Sequence, residues 1–269
     1  GLTESAWGKV RLAVLASALV QVGWLGLQMA DRDPIFSAAV TQGLIQPPAM
    51  PVVGWMGNPM DLALYLGLSL PLLAAVRPAW VGLTAAGVTA GAILLVLHAT
   101  VGTMAVGVTA VWLGWSWLPS WWLRVGLVLA VGLLGGAYVV MADPHVGSRP
   151  LIWQQTLQLI GLRPFVGWGP NALDHRVILL SPVMEVRWNF VFNEWLPGGL
   201  ELGLGAPARA AGYLVTLVRR LRGRVSAAAE LAPVLVILLA ASLFSIPFRV
   251  GPAALLAALC LGQMERRLA

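Results

Sequence analysis

Apolar positions in this chain do not follow a strand period or the stripe of a surface helix; they run in long blocks interrupted by charges, proline and glycine. A bilayer core about 30 Å thick takes about 20 largely apolar residues per helical crossing. The first such block covers residues 9–30 and stops at Asp31, Arg32 and Asp33. A stretch with Pro47, Pro48, Pro51, Gly57 and Pro59 follows and reads as a loop or a re-entrant segment. Residues 60–76 form the second block, closed by Arg77 and Pro78, and residues 80–98 form the third. The fourth begins after a turn at residues 100–103 and ends near Trp117; Pro119 then opens a turn into a fifth that reaches Met141. Residues 142–191 are mixed and polar, the only long hydrophilic segment. A sixth helix runs to Val218, a seventh covers 231–246, and a short eighth covers 250–262 before Arg266 and Arg267.

This pattern predicts an all-α fold: a polytopic helical membrane protein, a single membrane domain over residues 1–269, with about eight transmembrane helices. One large external loop, 142–191, belongs to that domain. Basic residues gather on the cytoplasmic side of membrane helices. With Lys9 and Arg11 inside, eight crossings also place Arg77, the cluster Arg219, Arg220, Arg222 and Arg224, and Arg266 with Arg267 inside. Both termini are then cytoplasmic and the long loop faces out, as in a multi-pass protein of a bacterial inner membrane.

Composition agrees, since 59% of the residues are hydrophobic and 10% charged, with a mean hydropathy of +0.83, which excludes a soluble globular protein. Single Cys260 excludes a disulfide framework. A formal charge of +6 and a pI near 10.7 would suggest nucleic acid in a soluble chain. Here the cations sit at predicted helix ends, where they anchor topology, so no nucleic-acid partner is expected.

Candidate chemistry lies in the external segment, which holds Arg149, Arg163, Arg176 and Arg187. Guanidinium groups recognise phosphate by bidentate, permanently charged hydrogen bonds, which suits a phosphate or pyrophosphate on a lipid. They equally suit lipid headgroups or salt bridges to Asp143, Asp174 and Glu185. Residues 153–160 read as a short amphipathic helix that puts Arg149 and Trp153 on one face. Gly167 and Gly169 permit backbone conformations closed to other residues, but without the strand, third glycine and helix of a nucleotide fingerprint. Glu201, in Leu200-Glu-Leu-Gly-Leu-Gly205, is an intramembrane carboxylate inside a hydrophobic helix, either functional or bonded to another group such as Arg209. Glu194 lies nearer the outer end of that helix. His98, His145 and His175 are too scattered for a metal set, so no metal is expected. The thirteen tryptophans read as interfacial belts.

Several stretches in order resemble the bacterial O-antigen ligase and polymerase superfamily of integral membrane glycosyltransferases. Gly57-Asn58-Pro-Met-Asp-Leu-Ala-Leu-Tyr-Leu66 followed by Pro71 is similar to the family's Asn-Pro helix start. Arg149-x-x-x-Trp153 with Pro164-Phe-Val-Gly-Trp-Gly169 resembles its large external loop. Asn193-Glu-Trp-Leu196 and Glu201-Leu-Gly203-Leu-Gly205 resemble the stretch leading into its next helix, and Ser242-Leu-Phe-Ser-Ile-Pro-Phe-Arg249 with Leu261-Gly262 its last helix pair. Family members usually carry several helices before the Asn-Pro motif, whereas one precedes it here, so the likeness is to a form shortened on its N-terminal side. The family's loop histidine falls on Phe192, whose ring cannot transfer a proton.

The resemblance implies transfer of a glycan from undecaprenyl pyrophosphate to an acceptor sugar at the periplasmic face, a step of lipopolysaccharide biosynthesis. Arg149, with Arg163, Arg176 or Arg187, would bind the pyrophosphate; Trp153 and Asn193 would contact substrate; Glu194 or His175 would act as the base; Asn58 and Glu201 would be structural or intramembrane polar groups. It implies no cofactor, and membrane lipid and a lipid-linked glycan as partners. The competing reading is a non-catalytic, ligase-like subunit that packs against partner subunits through small residues such as Gly82, Gly87, Gly91, Gly132 and Gly136.

Overall fold

The computed structural model describes residues 2–33, 35, 54–56, 58–115, 117–142, 149–170, 172, 179–180, 187–188, 191, 193–222, 230–244, 247–248 and 250–268. The proline-rich stretch before Gly54, together with Asp143, His145, Asp174, His175, Arg176, Glu185, Phe192 and Arg224, lies outside the described residues. The described chain is helical, with one minimal antiparallel pair, β1 (Leu179–Leu180) on β2 (Arg187–Trp188).

The first helix, α1 (Glu4–Met29), starts at Thr3, whose hydroxyl accepts from Ala6 N at 3.2 Å. A 3₁₀ turn, Gly54–Met56, is tied back to it: Gly54 N donates to Gln28 Oε1 and Trp55 N to Gln21 Oε1, while Trp55 meets Trp24 edge-on at 5.1 Å. Next comes α2 (Pro59–Ala74), with Asn58 Oδ1 accepting from Met60 N at 2.9 Å and Pro59 in the first turn, where its missing N–H costs nothing. This helix is apolar on every side, and every residue from Leu62 to Leu73 is buried. The bundle forms around it.

Then α3 (Ala79–Ala92) continues as a π turn, Ile93–Leu97, and stops at His98 in a left-handed conformation. Behind it come α4 (Thr100–Trp115) and α5 (Trp121–Ala142). Small residues set the spacing at the centre. A Cβ on Gly67 would stand 2.6 Å from Ala105 Cβ, and one on Gly102 would stand 2.5 Å from Ile93 and 3.0 Å from Ala63. Close backbone approach of this kind is how helices associate where lipid is as apolar as leucine.

Outside the bundle, α6 (Arg149–Leu162) packs on the short α7 (Trp195–Leu202). The chain then returns through α8 (Gly205–Arg222), α9 (Ala232–Phe244) and α10 (Gly251–Leu268). The sequence predicts one continuous sixth helix up to Val218. Instead it breaks at Gly203, whose φ of 76° no helix accommodates, so α7 and α8 are separate.

At one end of the bundle an ion-pair network gathers three helix ends. Arg11 meets Glu230 at 2.8 Å, and Arg267 meets Glu230 at 2.9 Å and Glu4 at 3.0 Å. Trp7 Nε1 also donates to Glu230 at 3.0 Å. The start of α1 and the end of α10 therefore share one end of the bundle.

Among the described residues three helices, Glu4–Met29, Ala79–Leu97 and Trp121–Tyr138, are long and apolar enough to cross a membrane, and Pro59–Ala74, Thr100–Trp115 and Ala232–Leu243 are shorter apolar helices. These mark a helical membrane protein.

Candidate functional site

Helix α6 forms as the residue spacing predicts, somewhat longer than residues 153–160. Its buried stripe is Arg149, Ile152, Thr156 and Ile160, at helical spacing, with Trp153 half-buried beside it. Arg149 heads that stripe at 4% exposure, so its guanidinium is a buried cation in the loop region rather than a solvated one. Trp153 Nε1 donates to the Val191 carbonyl at 2.9 Å, which ties α6 to the backbone just before Asn193.

A backbone clasp joins α6 to α7. Trp168 N donates to Leu200 O at 2.7 Å, Gly169 N to Glu201 O at 3.0 Å, and Leu204 N to Pro164 O at 2.7 Å. Two glycines make it possible. Gly167 has φ 64° and Gly203 φ 76°; a Cβ on the first would strike the Glu201 carbonyl, and a Cβ on the second the Phe165 carbonyl. Each stretch lacks a side chain where the other's backbone passes. The Gly169 amide is thereby engaged by the chain itself.

Asn193 holds the other side together. Its Oδ1 accepts from Trp195 N at 2.8 Å and Leu196 N at 3.1 Å, capping α7, and its Nδ2 donates to Leu243 O at 3.0 Å. Ser242 completes the joint: its carbonyl accepts from Glu194 N at 2.8 Å, and its hydroxyl accepts from Trp195 Nε1 at 2.8 Å. Asn193, expected to touch substrate, has both ends of its side-chain amide engaged by protein. Ser242 enters the sequence analysis only as the start of a resembling stretch, with no role of its own, because Ser245 stands in the same apolar run and nothing in the sequence separates the two hydroxyls.

Of the four loop arginines, Arg149 and Arg163 stand apart. Arg149 begins α6 and Arg163 follows its end, about 21 Å apart along a helix rising 1.5 Å per residue. Arg163 is exposed, its guanidinium 4.5 Å from the Trp168 ring centroid, a cation–π contact rather than a phosphate cradle. Arg187 lies on β2 opposite Leu180. Arg176 and His175 lie outside the described residues. Asn58 caps a helix. Glu201 was expected within a long hydrophobic helix, but the break at Gly203 puts it in the last turn of the eight-residue α7, half-buried, its carbonyl in the clasp.

What the fold does bring together is α6, which carries Arg149 and Trp153, and α7, which follows Glu194 and carries Glu201. This unit is bolted to the end of α9, and α9 and α10 both pack on α2. Comparison of the chain with family models, with curated proteins and with solved structures gives no match.

Proposed function

We propose that this chain is a membrane glycosyltransferase of the O-antigen ligase and polymerase type, working at the outer face of a bacterial inner membrane. It would cross the membrane eight times, through α1 to α5 and α8 to α10. Pairing of Glu4 with Arg267, which keeps the first and last helix ends together, supports an even number of crossings. The exposed cations Lys9, Arg77, Arg219, Arg220 and Arg266 support a cytoplasmic assignment for that end. Cysteine probes at Ser148 and Ser226 test it in intact cells: an impermeant reagent should label the first and spare the second, and the reverse would sink the topology.

The observation that carries the catalytic reading is the junction of the resembling stretches. Residues 164–169 clasp residues 200–204, and Asn193 to Trp195 bind Ser242 and Leu243, so segments far apart in sequence form one unit with α6, the helix that buried Arg149 begins. In the reaction, an acceptor hydroxyl oxygen bonds to the anomeric carbon while the bond from that carbon to the pyrophosphate oxygen breaks. Arg149 stabilises the charge that develops on the leaving pyrophosphate, and Glu194 takes the hydroxyl proton, with His175 the other candidate. Arg163 has no part, given its place on Trp168.

Arg149→Ala should lower glycan transfer by about a hundredfold or more, since a lost charge-stabilising contact costs that much, without loss of the folded protein. Phe192→His should leave transfer unchanged or raise it. The assay is transfer from a lipid-linked glycan by the pure protein.

One observation favours the second reading, a non-catalytic subunit. No residue of α5 from Trp121 to Tyr138 is buried. A groove of about 940 Å³ between α4, α5 and α9 is lined by Gly132, Gly135 and Gly136, a surface on which a partner helix could pack closely. No turnover together with a stable co-purifying subunit would decide for that reading.

A further inference from the structure

A turn that faces water is ordinarily polar, because its backbone leaves the regular hydrogen-bond pattern and water completes it. The turn after α6 is not. Residues 163–166 read Arg-Pro-Phe-Val, and Phe165 and Val166 stand 87% and 78% exposed, with Leu162 exposed just before them. The clasp sets a second apolar stretch beside this one: Leu204 N donates to Pro164 O at 2.7 Å, and a Cβ on Gly203 would strike the Phe165 carbonyl. Leu202 and Leu204, on either side of that glycine, are exposed as well. Large apolar side chains from two segments therefore share one knob, held by backbone hydrogen bonds.

Its size bears on what can cover it. A stable protein interface engages about 20–30 residues a side. Five residues on a protruding turn fall far short of that, whereas a lipid leaflet needs no complementary shape and takes up apolar surface that reaches it.

Position agrees. Helix α7 starts at Trp195, whose indole is bonded to Ser242 near the end of α9, an apolar helix of the bundle. Eight residues long, α7 rises about 12 Å at 1.5 Å per residue, so the knob at its far end lies about that close to the end of α9. A headgroup layer is about 5–8 Å thick, and the reach of a Phe or Leu side chain covers most of the remainder.

The rim fits the same setting. Arg163, the charged residue of the turn, lies with its guanidinium 4.5 Å from the Trp168 ring centroid, and Trp168 Nε1 donates to Leu159 O at 2.9 Å. An arginine on a tryptophan face is an amphipathic pair suited to headgroup depth. Glu201, the carboxylate of the second stretch, is half-buried and has a partner of its own.

We propose that the turn 163–166 with Leu162, Leu202 and Leu204 is a lipid-inserting knob. Phe165, Val166 and the leucines enter the leaflet at this end of the bundle, and Arg163 with Trp168 stays among its headgroups. Insertion depends on the chain being a membrane protein and not on its transferring glycans.

The test uses the whole chain in vesicles of dioleoylphosphatidylcholine, with a bimane label at Val166→Cys or, as the reference, at Gln154→Cys on the exposed side of α6. Native Cys260 is buried and does not take the label. A doxyl group on the upper acyl chain should quench the label at 166 and spare the one at 154, and aqueous iodide should do the reverse. Phe165→Asp, added to Val166→Cys, should lose the lipid quenching and gain quenching by iodide, while the protein elutes as one species as before. Quenching of the 166 label by iodide alone, or equal lipid quenching of both labels, would overturn the knob. So would shielding of the 166 label from both quenchers, the mark of a covering polypeptide. Undiminished lipid quenching in the Phe165→Asp variant would overturn the part given to the apolar side chains.

Discussion

Two helices of this protein are comparably apolar along their length and have opposite fates. All of α2 from Leu62 to Leu73 is buried among α1, α3, α4, α9 and α10, whereas α5 has no buried residue between Trp121 and Tyr138 and packs chiefly on α4. Hydropathy does not separate them, because lipid tails solvate a leucine about as well as another helix does. What separates them is backbone contact. Gly67 and Gly102 let α2 and α4 approach until a Cβ would collide, while Gly126, Gly132, Gly135 and Gly136 in α5 face nothing within 4 Å.

Swapping glycines for larger residues should break this symmetry most visibly. Gly67→Val forces a β-branched side chain into Ala105 and should cost about 3 kcal/mol. Gly132→Val meets open space and should change stability by less than about 0.5 kcal/mol. Melting temperatures read by size-exclusion fluorescence compare the two directly, and equal melting would show that α5 is as tightly packed as α2.

A smaller effect extends the comparison to the external unit. Gly167→Ala and Gly203→Ala each combine positive φ with a collision against backbone, a strain of about 1–3 kcal/mol. Because the unit joins the bundle mainly through Asn193 and Ser242, the damage should stay local. Amide exchange should rise in α6 and α7 and stay unchanged in α2; faster exchange throughout would mean that the two regions fold as one.

The smallest effect concerns the ionic end. Glu230→Gln removes the charge that Arg11 and Arg267 share and should cost about 1 kcal/mol, more at low salt than at high salt, as a partly exposed pair requires. Thermal stability across a salt series measures it, and a salt-independent loss would place the network in a drier setting than its 13% to 26% side-chain exposure indicates.

By itself the sequence determined that the chain is helical and made for a membrane, and where most helices lie. Residues 60–76, 80–98 and 231–246 became Pro59–Ala74, Ala79–Leu97 and Ala232–Phe244, because apolar blocks bounded by Pro, Arg and polar residues are local signals. The four-residue spacing of Arg149 and Trp153 likewise sufficed for α6. Tertiary structure alone decided the break at Gly203, since the strained turn persists only because Pro164 and Phe165 lie across it. It also joined Asn193 to Leu243, and it parted Arg163 from Arg149 by the length of a helix. Those outcomes depend on hydrogen bonds and close contacts between segments distant in the chain. Hydropathy and spacing report which solvent each residue prefers; they carry no record of which neighbour it meets.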